Sequence, residues 1–465
     1  MFPLYYVERG IRLKYDEAFI LLKRAQSFLL RSLLLSLIIS GLTVPLTSCG
    51  FVEKLQTANL LWKYTAPQKS IWSAEGAAET PQIQGDRIFY LGGYPWNNQI
   101  FLNCIDRATG KKVWSSDDEI KQFKLTDTQV FATARQDLFK REPGRATKVW
   151  VRAYDLPTGK LQWNRFVMAG IDGVKVVAVG EYVFCTSDNQ LYALDKTNGK
   201  EAWVADSGVY PSIAPNLLIT DKYIIAELQD RTIGFINRKT GKTEDKLVLN
   251  QIRADQARAL IIDGDLLMVA GSDGTSTIVN ISSQKLIGPV ETEWISSKVH
   301  IEDSVAYFCN CNGKPAASQQ ISPQNDIFHF CALDLNTGKY LWKTRVDAVI
   351  KAKALILSDK VFVGTAGDGD NFLYTLDRKT GEVEKKVALE NTLSGAILAN
   401  GLIYVNAGSL LAIEPSTGKI VWQFKPQKFK MDSEPVFQNN VIYAVGQDSN
   451  LYAFNPVSEN KVATK

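Results

Sequence analysis

The sequence predicts an all-β protein, a single closed β-propeller of four-stranded blades, and three observations carry that expectation. A turn of the form D-x-x-T-G-K recurs nine times, at intervals of 37 to 54 residues. Short runs rich in β-branched and aromatic residues precede every copy. Five copies are followed, at a fixed place, by tryptophan. A strand-forming repeat with a period of about 40 residues marks a propeller or a related array.

The first 48 residues stand outside the repeat. Lys23, Arg24 and Arg31 precede the apolar run LLLSLIISGLTVPL, which ends at Leu46-Thr47-Ser48-Cys49. A basic flank, a short apolar stretch and small residues before a cut describe a secretory signal peptide, and the run is short for a membrane span. The expected division is therefore a signal peptide over 1–48, a tether over 49–59 and the propeller over 60–465. A signal anchor with a chance cysteine is the alternative.

The segment LLWKYTA comes next and places Trp62 44 residues before Asp106. It reads as the last strand of a unit that lacks its own turn. The final copy, LYAFNPVSENK, has a turn without a convincing strand after it. Pairing the two ends would close the ring and leave no open sheet edge.

Each complete unit repeats the same parts. A tight turn opens it, such as Gly85-Asp86, Asp303-Ser304 or Asn439-Asn440, built from residues that accept turn dihedrals. A strand follows, then a hairpin, then a second strand that runs into the D-x-x-T-G-K turn. The turn begins at Asp106, Asp155, Asp195, Asn237, Asn280, Asp334, Asp377, Glu414 and Asn455. Its first side chain can accept hydrogen bonds from the amides that follow, and its glycine permits a positive φ. Trp114, Trp163, Trp203, Trp342 and Trp422 hold the outer-strand position, where a large flat ring would pack between blades. Asp245, Gly288, Lys385 and Ala463 replace it elsewhere.

Nine copies in register resemble the tryptophan-docking repeat of the pyrroloquinoline quinone (PQQ) type propellers, over roughly residues 60 to 465. The resemblance implies eight blades as the family's more usual number, whereas the turns count nine. The Leu-Thr-Ser-Cys ending likewise resembles the bacterial lipobox, which implies lipidation of Cys49. Gly50 follows in place of the aspartate that retains some lipoproteins at the inner membrane, so an outer-membrane lipoprotein facing the periplasm is expected.

The resemblance also raises a quinone-dependent dehydrogenase. Such enzymes hold the quinone over calcium between acidic and amide side chains and commonly use adjacent cysteines. This chain has no adjacent cysteine pair and no C-x-x-C-H haem site. Only two histidines occur, His300 and His329, in separate expected strands, a poor basis for a metal site. Asp368 and Asp370 sit in AGDGDNF, but Phe372 breaks the calcium-loop pattern. Cys104, Cys185 and Cys331 fall in strand contexts. Cys309 and Cys311 form a C-x-C whose disulfide would be strained, so free buried thiols are expected. The reading is a chain without catalytic residues, metal or cofactor.

Beyond residue 48 the sequence holds 47 basic and 46 acidic residues, a balance that gives no electrostatic reason to bind nucleic acid. What remains is surface. The hairpins over 134–149 and 310–328 are enlarged. Trp72 and Trp294 fall in expected connectors, and Tyr94 and Trp96 in the hairpin GGYPWNNQ. Aromatic residues on loops anchor protein interfaces, which makes Trp72, Tyr94, Trp96 and Trp294 the partner-binding candidates. A lipid-anchored propeller without enzyme signatures resembles the scaffold lipoproteins of outer-membrane β-barrel assembly. That resemblance implies an envelope protein partner, such as a β-barrel assembly subunit, and membrane contact through the lipid anchor; a general envelope binding propeller with a different partner is the alternative.

Overall fold

The computed structural model of the chain describes residues 59–65, 80–94, 99–135, 147–169, 176–187, 190–206, 208–209, 218–228, 232–248, 257–271, 274–283, 285–312, 327–367, 371–426 and 429–457. Cys49, Trp72, Trp96, Asp368 and Asp370 lie outside them, as do the tips of both enlarged hairpins. Every named strand belongs to one of nine antiparallel sheets, and there is no helix among the described residues. The protein is a nine-bladed β-propeller.

Blade 1 shows the unit: Gln82–Gln84, Arg87–Tyr94, Gln99–Asp106 and Lys112–Ser115, hydrogen-bonded in that order. The first strand is short and half-buried, the two central strands are buried, and the fourth is exposed. First strands of successive blades touch, for instance Ile120–Leu125 with Val176–Val179, as strands converging on a central axis must. The tight turns that open the second strands are left-handed at both corners in three blades. Asp303 and Ser304 have φ of 54° and 59°, Asn400 and Gly401 48° and 81°, and Asn439 and Asn440 50° and 60°. Those dihedrals match the right-handed twist of the strands they join.

The ring closes as the two chain ends foretold. Leu60–Thr65 pairs antiparallel with Asn450–Phe454, Leu60 opposite Phe454 and Thr65 opposite Asn450, and so supplies the outer strand of blade 9. Nine apolar clusters fill the nine junctions between neighbouring blades. The last of them joins Tyr443, Val445, Leu451 and Ala453 of blade 9 to Ile88, Tyr90 and Ile105 of blade 1, with Trp62 and Tyr64 against it.

Two details differ from the sequence reading. In blades 6 and 7 the first strand is split: Trp294–Ile295 and His300–Glu302 both pair with Val305–Cys311, and Val349–Ile350 and Leu355–Ile356 both pair with Lys360–Ala366. Trp294 therefore belongs to a strand and not to a connector. In blade 6, two serines hold the bend between the two pieces. Ser296 N–H donates to the Cys309 carbonyl at 2.8 Å, and Ser297 Oγ accepts from Cys309 N–H at 2.7 Å.

Candidate functional site

The repeated turn is the recurring polar device of this chain, and its geometry shows what it does. In blade 1, Asp106 Oδ1 accepts from Thr109 N–H at 2.9 Å and from Thr109 Oγ1 at 2.7 Å. Gly110 N–H closes the turn onto the Asp106 carbonyl at 2.9 Å, with Gly110 at φ +68°. Asp195 and Asp377 repeat the arrangement, and hydrogen bonds from Thr197 and Thr380 hold their carboxyls below the ordinary value. Asn237 and Asn280 do the same work without a charge.

The glycine has a second role that the sequence reading missed. Five tryptophans, Trp62, Trp114, Trp163, Trp203 and Trp342, each lie on the turn glycine of the next blade. A Cβ at Gly110 would stand 2.5 Å from the Trp62 ring, one at Gly159 2.4 Å from Trp114, and one at Gly381 2.5 Å from Trp342. The indole N–H then donates to a turn carbonyl of that next blade: Trp62 to Arg107 at 3.1 Å, Trp114 to Leu156 at 3.0 Å, and Trp342 to Arg378 at 2.9 Å. Trp62 is thus the ring-closing member of the series. Where tryptophan is lost, aliphatic groups replace it: Ile287 and Val290 face Gly338, and Val387 faces Gly418.

Chain direction gives the ring two unlike faces. The tight turns and the T-G-K turns share one face, where Arg107 N–H bonds the Asp86 carbonyl and Arg378 N–H bonds the Asp359 carbonyl. The central hairpins and the connectors between blades lie on the other. Tyr94 is there, as the last residue of its strand, paired with Gln99. Trp294 is there too, half-buried against the core that includes Cys311, Phe328 and Val346, and paired with Cys311. The two belong to different blades, the first and the sixth, and Trp72 and Trp96 fall outside the described residues.

Chemically active clusters do not emerge around these positions. Among the described residues no group of three or more His, Cys, Asp or Glu side chains converges to hold a metal ion. Cys104, Cys185, Cys309, Cys311 and Cys331 are buried free thiols. Burial pushes the Cys104 and Cys185 thiols up to about 12 and Cys309 to about 11, which disfavours the nucleophilic thiolate. Burial raises the proton affinity of Glu434 despite Lys353 and Lys298 nearby, while burial lowers that of His300 against the pull of Glu302.

Comparison with known proteins gives the following. The family profile described as "Outer membrane protein assembly factor BamB" matches residues 147–293 and 384–462. The outer membrane protein assembly factor BamB of Yersinia pestis is 22% identical over 353 residues, covering 70% of this chain and 82% of the relative. Among solved structures, BamB from Moraxella catarrhalis aligns with TM-score 0.49 and 13% identity, over 85% of this chain and 99% of that one. A europium-containing methanol dehydrogenase aligns with TM-score 0.43 and 12% identity, over 85% and 93%.

Proposed function

We propose that this PQQ-type β-propeller, which resembles BamB, is a non-enzymatic scaffold of the bacterial cell envelope, anchored by a lipid at Cys49 and serving outer-membrane protein assembly. The likeness to assembly factors carries the reading: both the family profile and the Yersinia pestis relative bear that description. The use of the motif supports it. The turn carboxylates, threonines, glycines and tryptophans that recur around the ring are engaged in building turns and blade junctions. They have the character of scaffold, and function on a scaffold lies in what its surface presents.

In this reading the signal peptide ends at Ser48, Cys49 carries the acyl chains, and residues 50–59 tether the ring to the periplasmic side of the outer membrane. The hairpin face, which holds Tyr94 and Trp294, meets an envelope protein partner such as a β-barrel assembly subunit, and Trp72 and Trp96 are the further candidates for that contact.

The test is recovery of the intact protein from detergent-solubilised envelope membranes, with identification of what co-purifies. Stoichiometric recovery of barrel-assembly proteins is the expected result. Cys49→Ala should abolish fatty-acid labelling and release the protein into the soluble envelope fraction. A variant that stays membrane-bound and unprocessed would establish a signal anchor instead. Saturable quinone binding in the presence of calcium, with dye-linked alcohol oxidation, would replace the scaffold with an enzyme.

A further inference from the structure

The inner wall of the ring carries charges that the blades do not pair. Tyr307, Phe362, Tyr404 and Tyr443 are the third residues of four successive second strands, and their partners on the first strands are His300, Leu355, Ile397 and Val436. Two residues ahead of those partners stand Lys298, Lys353, Gly395 and Glu434, so blades 6 to 9 present these four at one level. The brace behind two of them is the same. Ser297 Oγ accepts from Cys309 N–H at 2.7 Å, and Ser433 Oγ accepts from Val445 N–H at 2.8 Å.

Gly395 lets these charges share a space. A Cβ there would stand 2.4 Å from Cγ of Glu434, so the Glu434 side chain lies across the place where blade 8 has none. The cations whose field reaches its carboxyl are Lys353 and Lys298, from blades 7 and 6. The ion pairs of these blades run elsewhere, Lys386 to Asp347, Lys425 to Glu390, and Arg378 to Glu302 and Asp303. Among the described residues Lys298, Lys353 and Glu434 make none. Asn406, opposite Gly395, is fully buried; its Nδ2 donates to the Ser433 carbonyl, and its Oδ1 has no hydrogen-bond partner. A buried acceptor left without a donor costs free energy that a bound donor recovers.

We propose that this stretch of the inner wall binds a small zwitterion, its acid group on Lys298 and Lys353 and its ammonium group on Glu434, beside the Asn406 amide. The mixture of charges selects that class. A bare anion would meet Glu434 and a bare cation would meet two lysines, whereas a molecule carrying both charges is attracted at each end. Glu434 is half-buried and both lysines are exposed, so the ammonium end is the more tightly held, because attraction between charges grows as water is excluded. The site uses neither the repeated turns nor an envelope partner, and it stands apart from the scaffold reading.

Isothermal titration of the full chain in detergent compares glycine, β-alanine, γ-aminobutyrate and ε-aminocaproate, which differ in the distance between their two charges. Acetate and methylamine, with one charge each, are the controls. Saturable binding of at least one amino acid is expected, with both single-charge molecules at least about 10-fold weaker, as the loss of a hydrogen bond to a charged group dictates. E434Q and, separately, K298Q/K353Q should each weaken that binding by about 10-fold or more. K160Q/K200Q, in the turns, should bind as the parent does. Melting curves establish that the variants fold, and the exposed lysine pair keeps the test decisive if E434Q does not. Absence of binding by all four amino acids, equal binding of acetate or methylamine, or binding unchanged in either folded wall variant would overturn the proposal.

Discussion

At the scale of single residues, the turn glycine shows how one atom couples two blades. Sequence spacing sufficed to identify its positive φ, because a turn demands left-handed backbone at that corner. The docking of the preceding tryptophan on its Cα was not legible. The two residues lie about one blade apart in sequence, and nothing local to either names the other. Gly159→Ala should cost about 2 kcal/mol or more, since it combines a disfavoured dihedral with overpacking against Trp114, and a chemical denaturation curve measures it. The turn carboxylates make a second prediction. Threonine hydrogen bonds lower the Asp195 and Asp377 carboxyls in the folded state. Their contribution is fully present above the ordinary carboxylate range and is lost as pH falls below it, through the depressed folded values. The double variant D195N/D377N should fold, as the native Asn237 and Asn280 turns do, and should lose less melting temperature across that acid window. An acid limb as steep as the parent's would show that these turns contribute nothing to pH dependence.

At the scale of the element, the closing strand was legible and the seams were only partly so. Trp62 betrayed Leu60–Thr65 because it is a docking residue without a turn of its own. The split first strands were missed, because pieces of two or three residues carry no periodicity and the blade 6 bend depends on serines bonding to a strand that comes later. Trp62→Ala removes a half-buried ring from the last junction and should cost about 2 to 3 kcal/mol. Deleting residues 49–66 should lower the melting temperature sharply or cause aggregation, while deleting 50–56 should do little. Equal melting of the two truncations would mean that the ring closes without this strand. The junction of blades 4 and 5 is built differently from its neighbours: Asp245 stands in place of the tryptophan and Gln284 in place of the glycine. Its core is Ile225, Ile233, Phe235, Leu267, Val269 and Val279. Hydrogen exchange in Tyr223–Glu227 and Leu266–Gly271 should outpace that in Arg87–Tyr94, next to the Trp114 junction. Uniform protection around the ring would contradict this.

At the scale of the whole molecule, the propeller architecture was readable because every repeat repeats its signal. The candidate site was far less so. A partner surface has no period, and the aromatic candidates divide between Trp294, which the structure returns to a strand, and Trp72 and Trp96, which lie outside the described residues. The central claim is that the ring is a scaffold whose hairpin face meets an envelope protein. Photocrosslinking in intact cells tests it most directly, with a photoreactive residue placed at Lys200 or Lys242 on one face and at Lys353 or Glu390 on the other. The account predicts adducts to a barrel-assembly protein from the second pair and none from the first. Protein adducts from Lys200 and Lys242 with none from Lys353 and Glu390, or the same adducts from both faces, would contradict it.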